Sequence, residues 1–416
     1  MSETRPLPLK GIKVLDMGNY VAGPAAATIM GDFGAEVIKI EPPGLGDYYR
    51  YTHLGNGMPK SDESYQWTLT NRNKKSLALD LKHPEGYATL LELIKQVDIV
   101  VTNFRPALLD RLKVDYNHLS EHNPQLIYGH LTGYGKHGDD ANTPAFDRTA
   151  GWARAGIMDA SRPSDESPRN CLPGIGDHPT ALSLFGGVMM ALYERSQTGL
   201  GSEIHTSLTA TGAYGNGLTL QGAISGATQN RADGIADTPN AFLMAYQTKD
   251  QRWFWFWLET EESGPSLITA MIDEPSIMQD QRFLSPEGRQ RHAADLKQII
   301  QHKIAQQDFA HWQSLMDSLS IRYVTSSTLS EVLSDPQMND NGVFPTFTQA
   351  VGKSAKTVSS PMEIIGRKKK AVGPPPGVGE HSIEILRDCG LSDKQIQSLI
   401  EQDIVSVEKL DLKRKP

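Results

Sequence analysis

The chain has 416 residues, enough for about two or three domains and for a large apolar core that needs no covalent staples. With 38% hydrophobic and 22% charged residues it falls outside the disordered, fibrous and membrane classes, and a net charge of -8 disfavours a nucleic-acid backbone as partner. Its two cysteines, Cys171 and Cys389, lie far apart and in neither a CxxC nor a zinc-ligand spacing, so no disulfide framework and no metal site is expected. The segment MSETRPLPLKGIKVLDM has neither the apolar run of a secretory signal nor a transit-peptide pattern, and no apolar stretch reaches the span of a bilayer. A cytoplasmic, reducing location without a membrane partner is the expectation.

From the amino end, KVLDM (13–17) reads as a buried strand, followed by a Gly/Pro turn, a small-residue helix from about Pro24, and a second strand, AEVIKIE, ending at Glu41. The alternation recurs with SLALDL, the helix HPEGYATLLELIKQ, the strand VDIVVTNF, a helix around PALLDRL, and the strand QLIYGHLTG. Strands alternating with helices predict a Rossmann-like α/β large domain, with a parallel sheet covered on both faces. The first turn, GNYVAGP, is not GxGxxG, so the layout does not imply a dinucleotide.

Beyond Gly199-Leu200-Gly201, the Gly/Ala/Thr-rich stretch from Thr209 to Gly226 reads as a linker. A smaller α+β domain is expected over 225–330, after a first part of the large domain over 1–220, with 331–416 as linker and return to the large domain. In the small domain, AFLMAYQTKDQRWFWFWLE reads as a hairpin turning at Lys249-Asp250. Trp253 to Trp257 then form a strand apolar on both faces, either a buried central strand or a wall that touches substrate. The RKKK run at 367–370 reads as a solvated face, with a phosphate site as the alternative, and VGPPPGVGEHS, which can be neither helix nor central strand, precedes two further helices.

LPGIGDHPTALSLFGGVMMALYERSQTGLG carries the chemistry. Gly174 and Gly176 permit a sharp turn before Asp177, and Pro179 fits only the first turn of a helix, so Asp177 stands at a helix start. It is either an N-cap or a nucleophile; a carboxylate at the positive end of a helix stays ionised, which suits both readings.

The segments GIKVLDM, YVAGPAAATIMGDFGAEVIKIEPPGLGD, NRNKKSLALDLK, NFRPALLDRL, NPQLIYGHLTGYG, the GIGDHPTALSLFGG stretch, LSDPQ and GPPPGVGEHSIEILRDCGLS occur in the order seen in class III CoA transferases. This is the family of formyl-CoA transferase and the carnitine CoA transferase, and the chain resembles it from about residue 9 to 405. YVAGP and GIGDHPT are most similar to the branch acting on 2-hydroxyisocaproate and phenyllactate. The resemblance implies that Asp177 is a covalent nucleophile that moves CoA from an acyl-CoA to a carboxylic acid through an aspartyl anhydride and an aspartyl-CoA thioester, with an apolar or 2-hydroxy acid as acceptor. It implies no permanently bound cofactor, coenzyme A being substrate, and an interlocked homodimer. By motif position, it places CoA contacts at Tyr20, Val21 and Ala22, at Asn71, Arg72, Asn73, Lys74 and Lys75, at Asn103, Phe104, Arg105 and Arg111, and at Asp147, along the carboxyl ends of the early strands. Arg72, Lys74, Lys75, Arg105 and Arg111 would supply positive charge for the phosphates.

Three departures bear on the substrate. Val21 stands where formyl-CoA transferase has a glutamine, and no glycine-rich closing loop occurs near Gln247 to Trp257. Phe146 stands where the related α-methylacyl-CoA racemases carry a proton-transferring histidine. An α-methylacyl-CoA racemase-like enzyme and a CoA-binding protein without turnover are the rival readings. His178, beside the nucleophile, could orient an acid or be an idle helix-start residue.

Overall fold

The computed structural model describes residues 5–55, 58–162, 167–227, 240–256, 264–349 and 352–407. Six strands, β1 (Lys13–Asp16), β2 (Glu36–Glu41), β3 (Lys75–Leu79), β4 (Ile99–Thr102), β5 (Ile127–Thr132) and β6 (Glu203–Ser207), form a parallel sheet in the order β3-β2-β1-β4-β5-β6. The short strand Val405–Ser406 pairs antiparallel with β3 at the edge. The chain winds one way from β1 to β3 and then the other way from β4, so the topology reverses between β1 and β4, where open α/β sheets bind ligands beyond the strand carboxyl ends.

The two-residue side-chain period of a strand divides the apolar residues between two cores. Leu15, Ile38, Ile40, Leu77, Val100 and Tyr128 pack with the Pro84–Ile94 helix and with Ile385, Leu386, Ile396 and Leu399 from the carboxyl-terminal helices. Val14, Val37, Ile99, Val101 and Ile127 face the other way, onto the Ala22–Asp32 and Asp177–Thr198 helices. The Ala22–Asp32 helix is buried along its whole length, which its alanine-rich sequence permits.

The Thr209–Gly226 stretch, expected as a linker, instead contains the helices Leu208–Gly215 and Gly217–Ile224. The Ser207 hydroxyl caps the first by accepting from the Ala210 N–H at 3.1 Å. A Cβ at Gly212 would lie 2.1 Å from the Gly151 carbonyl oxygen, so this glycine serves close backbone approach rather than flexibility.

The chain divides into two compact units: 1–156 with 171–217 and 337–416, and 157–170 with 218–336. In the second unit β7 (Ala245–Gln247), β8 (Trp253–Phe256) and β9 (Tyr323–Thr325) form an antiparallel sheet in that order. Strand β8 is central, but not buried on both faces as expected: Phe254 and Phe256 join the core with Tyr246 and Trp312, whereas Trp253 is 43% exposed and Trp255 half-buried. Trp257 lies outside the described residues. In the RKKK run Lys369 is half-buried and donates to the Ser359 hydroxyl at 2.8 Å and to the Ser360 carbonyl, so this run is not wholly a solvated face. Cys171 and Cys389 are both free and half-buried. No helix among the described residues is long and apolar enough to cross a membrane.

Candidate active site

Three loops at the strand ends are tied together by buried polar groups. After β1, the Asn103 amide grips Asn19, accepting from its N–H at 2.7 Å and donating to its carbonyl at 2.8 Å. Tyr20 has φ +60°, a costly conformation for a residue with a side chain. Its N–H donates to the Asp47 carboxylate at 3.3 Å, which also caps the turn after β2 by accepting from the Tyr49 N–H at 3.0 Å. The buried Lys39 ammonium bridges Asp47 at 3.2 Å and also donates to the Gly18 carbonyl. Burial opposes its charge, but Asp16, Asp47 and Glu41 outweigh that and hold its pKa above the ordinary value. Beyond Asp47, Arg50 forms two bonds to Glu41, at 2.9 and 2.7 Å, stacks 3.8 Å over the Trp67 ring and donates to Pro376 O at 2.9 Å. The Pro/Gly segment of the carboxyl-terminal region is thereby fastened to the same loops.

Asp177 opens the 22-residue helix Asp177–Thr198. The N-cap is Gly176, and Asp177 is the first helical residue; its side chain makes no capping bond, and among the described residues no hydrogen bond or ion pair holds its carboxyl group. The capping reading is therefore excluded by geometry. The loop before it is held by Asp147 instead, whose Oδ2 accepts from the Gly174 N–H at 2.8 Å and the Gly176 N–H at 3.5 Å while Oδ1 accepts from Arg148 N–H at 2.6 Å. A Cβ on Gly176 would come within 3.1 Å of Asp147 Cβ, which explains why glycine precedes the aspartate.

This arrangement corrects one expectation. Burial, and then the neighbouring Asp147 charge, push the Asp177 pKa from 3.8 up to about 7, so the helix terminus does not keep it fully ionised at neutral pH. The Asp177 carboxyl group thus shares a partly enclosed site with that of Asp147. The Tyr49 phenol is raised as well, by burial first and by Asp177 next, which puts it in the field of the same carboxyl group. Tyr20 packs on Tyr49 and Phe146, each with ring centroids 5.9 Å apart, and on Tyr48 at 6.4 Å. Neither Tyr49 nor Asp47 was singled out by sequence, although both lie in the EPPGLGDYYR segment, where an acidic residue directly before two aromatics was the available signal. His178 folds back toward Gly174, and burial, then Arg72, lower its pKa.

The cations expected for phosphate divide into two groups. Arg72 is buried and bidentate to Asp32, at 3.2 and 2.6 Å, with a third bond to Leu69 O. The Lys74 ammonium is spent on Asp16, Pro24 O, Thr70 O and Asn71 Oδ1, all at 2.7 to 3.0 Å, and burial lowers its pKa to about 8. Lys75 lies between Glu36 and Glu384, both at 2.8 Å, and Asn73 holds the Gly373 N–H at 2.7 Å. Residues 71–75 also lead into β3 rather than out of a strand carboxyl end. The expectation of a free phosphate-binding charge at Arg72 and Lys74 is thus corrected: these side chains brace the loops. Asn103, Phe104 and Arg105 do follow the end of β4, where His130 Nε2 lies 2.8 Å from Phe104 O. Arg105 is exposed and donates only to Asn142 O, at 3.0 Å, among the described residues, and Arg111 is exposed with no partner among them. Val21 and Ala22 are buried at the start of the Ala22–Asp32 helix. No group of three or more His, Cys, Asp or Glu residues suited to a metal ion occurs among the described residues.

Residues 9–382 match the profile described as "CoA-transferase family III". The chain is 31% identical to (R)-2-hydroxy-4-methylpentanoate CoA-transferase of Clostridioides difficile, over 95% of this chain and 99% of that protein. It is 30% identical to cinnamoyl-CoA:phenyllactate CoA-transferase of Clostridium sporogenes, over 96% and 97% of the two chains. A solved CAIB/BAIF family protein from Brucella suis shares the fold, with a TM-score of 0.82 at 24% identity over 92% of this chain and all of that one. With this match across nearly its whole length, the chain belongs to CoA-transferase family III.

Proposed function

We propose that the protein moves CoA from an acyl-CoA donor to a carboxylic acid through covalent intermediates on Asp177. The carrying observation is a carboxyl group at a helix start that is desolvated, next to a second carboxyl group and without a hydrogen bond among the described residues. A hydrogen-bonded carboxylate is a weak nucleophile; one poorly solvated and unpaired gains from forming a covalent bond.

In the first step an ionised Asp177 oxygen attacks the thioester carbonyl carbon, and the C–S bond breaks to give a mixed anhydride and the CoA thiolate. The thiolate then attacks the Asp177 side-chain carbon, releasing the donor acid and leaving an aspartyl-CoA thioester. The acceptor carboxylate attacks that thioester to form a second anhydride, and the thiolate attacks its acyl carbon, regenerating Asp177. One thioester replaces another, so no nucleoside triphosphate is consumed. Pro24 and Pro179 have no N–H, and His178 N–H already donates to the Gly174 carbonyl at 3.0 Å, so the N–H groups of Ala22, Gly23 and Asp177 are the helix-start donors proposed for the oxyanions.

Arg105 and Arg111 are the cations proposed to meet the CoA phosphates, and Asn103 and Asp47 shape the Asn19–Ala22 loop for the pantetheine arm. The relatives named above act on 2-hydroxy-4-methylpentanoate and phenyllactate, and an apolar or 2-hydroxy acid is proposed here too. Phe146 stands beside Asp147 with a side chain that cannot carry a proton, which speaks against racemisation. A homodimer is proposed as well, because Met190, Tyr193 and Tyr214 of the first unit are large and solvent-exposed. The test is mass spectrometry of the CoA esters formed from a panel of carboxylic acids with acetyl-CoA or succinyl-CoA as donor. New esters are expected from the wild type and none from Asp177→Ala; esters from both would overturn the role of Asp177.

A further inference from the structure

Four aromatic rings from three separate segments converge beside the nucleophile: Tyr20 after β1, Tyr48 and Tyr49 after β2, and Phe146. Phe146 immediately precedes Asp147, and Asp147 is packed against Gly176, the neighbour of Asp177. The Tyr20 ring is the hub, meeting Phe146 edge-on at 82°, and it is held there by a backbone at φ +60° that the Asp47 carboxylate secures. Phe146 is 59% and Tyr48 64% exposed, so ring surface is left open toward whatever enters. None of the three phenol hydroxyls has a hydrogen-bond partner among the described residues, and no cation lies over any of the four rings there.

We infer that this ring cluster is the acyl recognition surface and that it selects acids bearing an uncharged aromatic ring, over straight-chain acids and over dicarboxylates. The inference rests on the Asp177 chemistry proposed above. An aliphatic chain gains from such a surface only by burying area, whereas a ring adds edge-to-face contact with rings already fixed in place. A second carboxylate would meet no stacked cation and would sit beside Asp147 and Asp177.

The experiment compares 3-phenylpropanoate, hexanoate and glutarate as acceptors with acetyl-CoA as donor, in the wild type, Phe146→Leu, Phe146→Tyr and Tyr48→Leu. The wild type is expected to prefer 3-phenylpropanoate. Phe146→Leu is expected to lose about tenfold in kcat/KM for it while hexanoate changes less than about threefold, with Tyr48→Leu acting in the same direction and Phe146→Tyr retaining the preference. Thermal unfolding of each variant verifies that it is folded. Preference of the wild type for hexanoate or glutarate, or equal losses for both monoacids in the folded Leu variants, would overturn the inference while leaving the Asp177 chemistry in place. Absence of any CoA ester from the wild type would overturn that chemistry and this inference with it.

Discussion

Replacing Asp177 by Asn keeps the shape of the side chain and removes the charge that burial and Asp147 oppose. In the folded protein the group titrates at about 7 rather than at 3.8, so between those values the native state holds a proton that the unfolded chain has released. Stability therefore falls as pH rises through this window, and the full cost of the ionised carboxylate is present only above pH 7. The rise corresponds to about 4 kcal/mol at most; with part of the group open to water, about 2–4 kcal/mol is the reasonable range. Urea unfolding of wild type and Asp177→Asn at pH 4, 6 and 8, read from the transition of the first unit, measures it. The variant is expected to be more stable by this amount at pH 8, by less at pH 6, and equal to the wild type near pH 4. A residue acting as a helix cap would give the opposite sign, a loss of about 1 kcal/mol with little dependence on pH in this direction. That result, or no difference at any pH, would refute the reasoning.

Because only the ionised form attacks, kcat/KM should rise with pH and level off above about 7; Asp147→Asn should move that limb to lower pH, and an unmoved limb would show that the two carboxyl groups are not coupled. Lys74→Met leaves the buried Asp16 without its 2.7 Å partner and should cost about 3 kcal/mol in unfolding free energy, with Lys39 nearby limiting the loss; a neutral result would contradict the bracing role. Arg111→Ala should raise KM for acyl-CoA by about threefold to tenfold without changing kcat, and the effect should shrink in high salt, as measured by steady-state kinetics.

The parallel sheet was legible because β1, β2 and β4 are short apolar runs separated by helices, and such runs fit only a sheet covered on both faces. Asp177 was legible because Gly176 before it and Pro179 after it mark a helix start, and the order of motifs then added the chemistry. What sequence could not show was which charges are inside. Arg72 and Lys74 read as charge for the CoA phosphates and Lys39 drew no reading beyond its strand, and only the fold reveals that Asp32, Asp16 and Asp47, distant in sequence, close on them. The Thr209–Gly226 stretch misled for a related reason. Gly212 is small because the Gly151 backbone passes against it, and a close approach leaves the same mark in sequence as a flexible linker. The pKa of Asp177 was missed because a helix start argues for ionisation, while the enclosing loop and Asp147, thirty residues earlier, outweigh it.

The most direct measurement is to mix the protein with an acyl-CoA, quench it with hydroxylamine, and locate the modified residue by peptide mass spectrometry. A hydroxamate on Asp177, appearing only when acyl-CoA is present and absent from Asp177→Asn, is the expected result. An unmodified Asp177 in protein that still forms new CoA esters would contradict covalent catalysis at this residue.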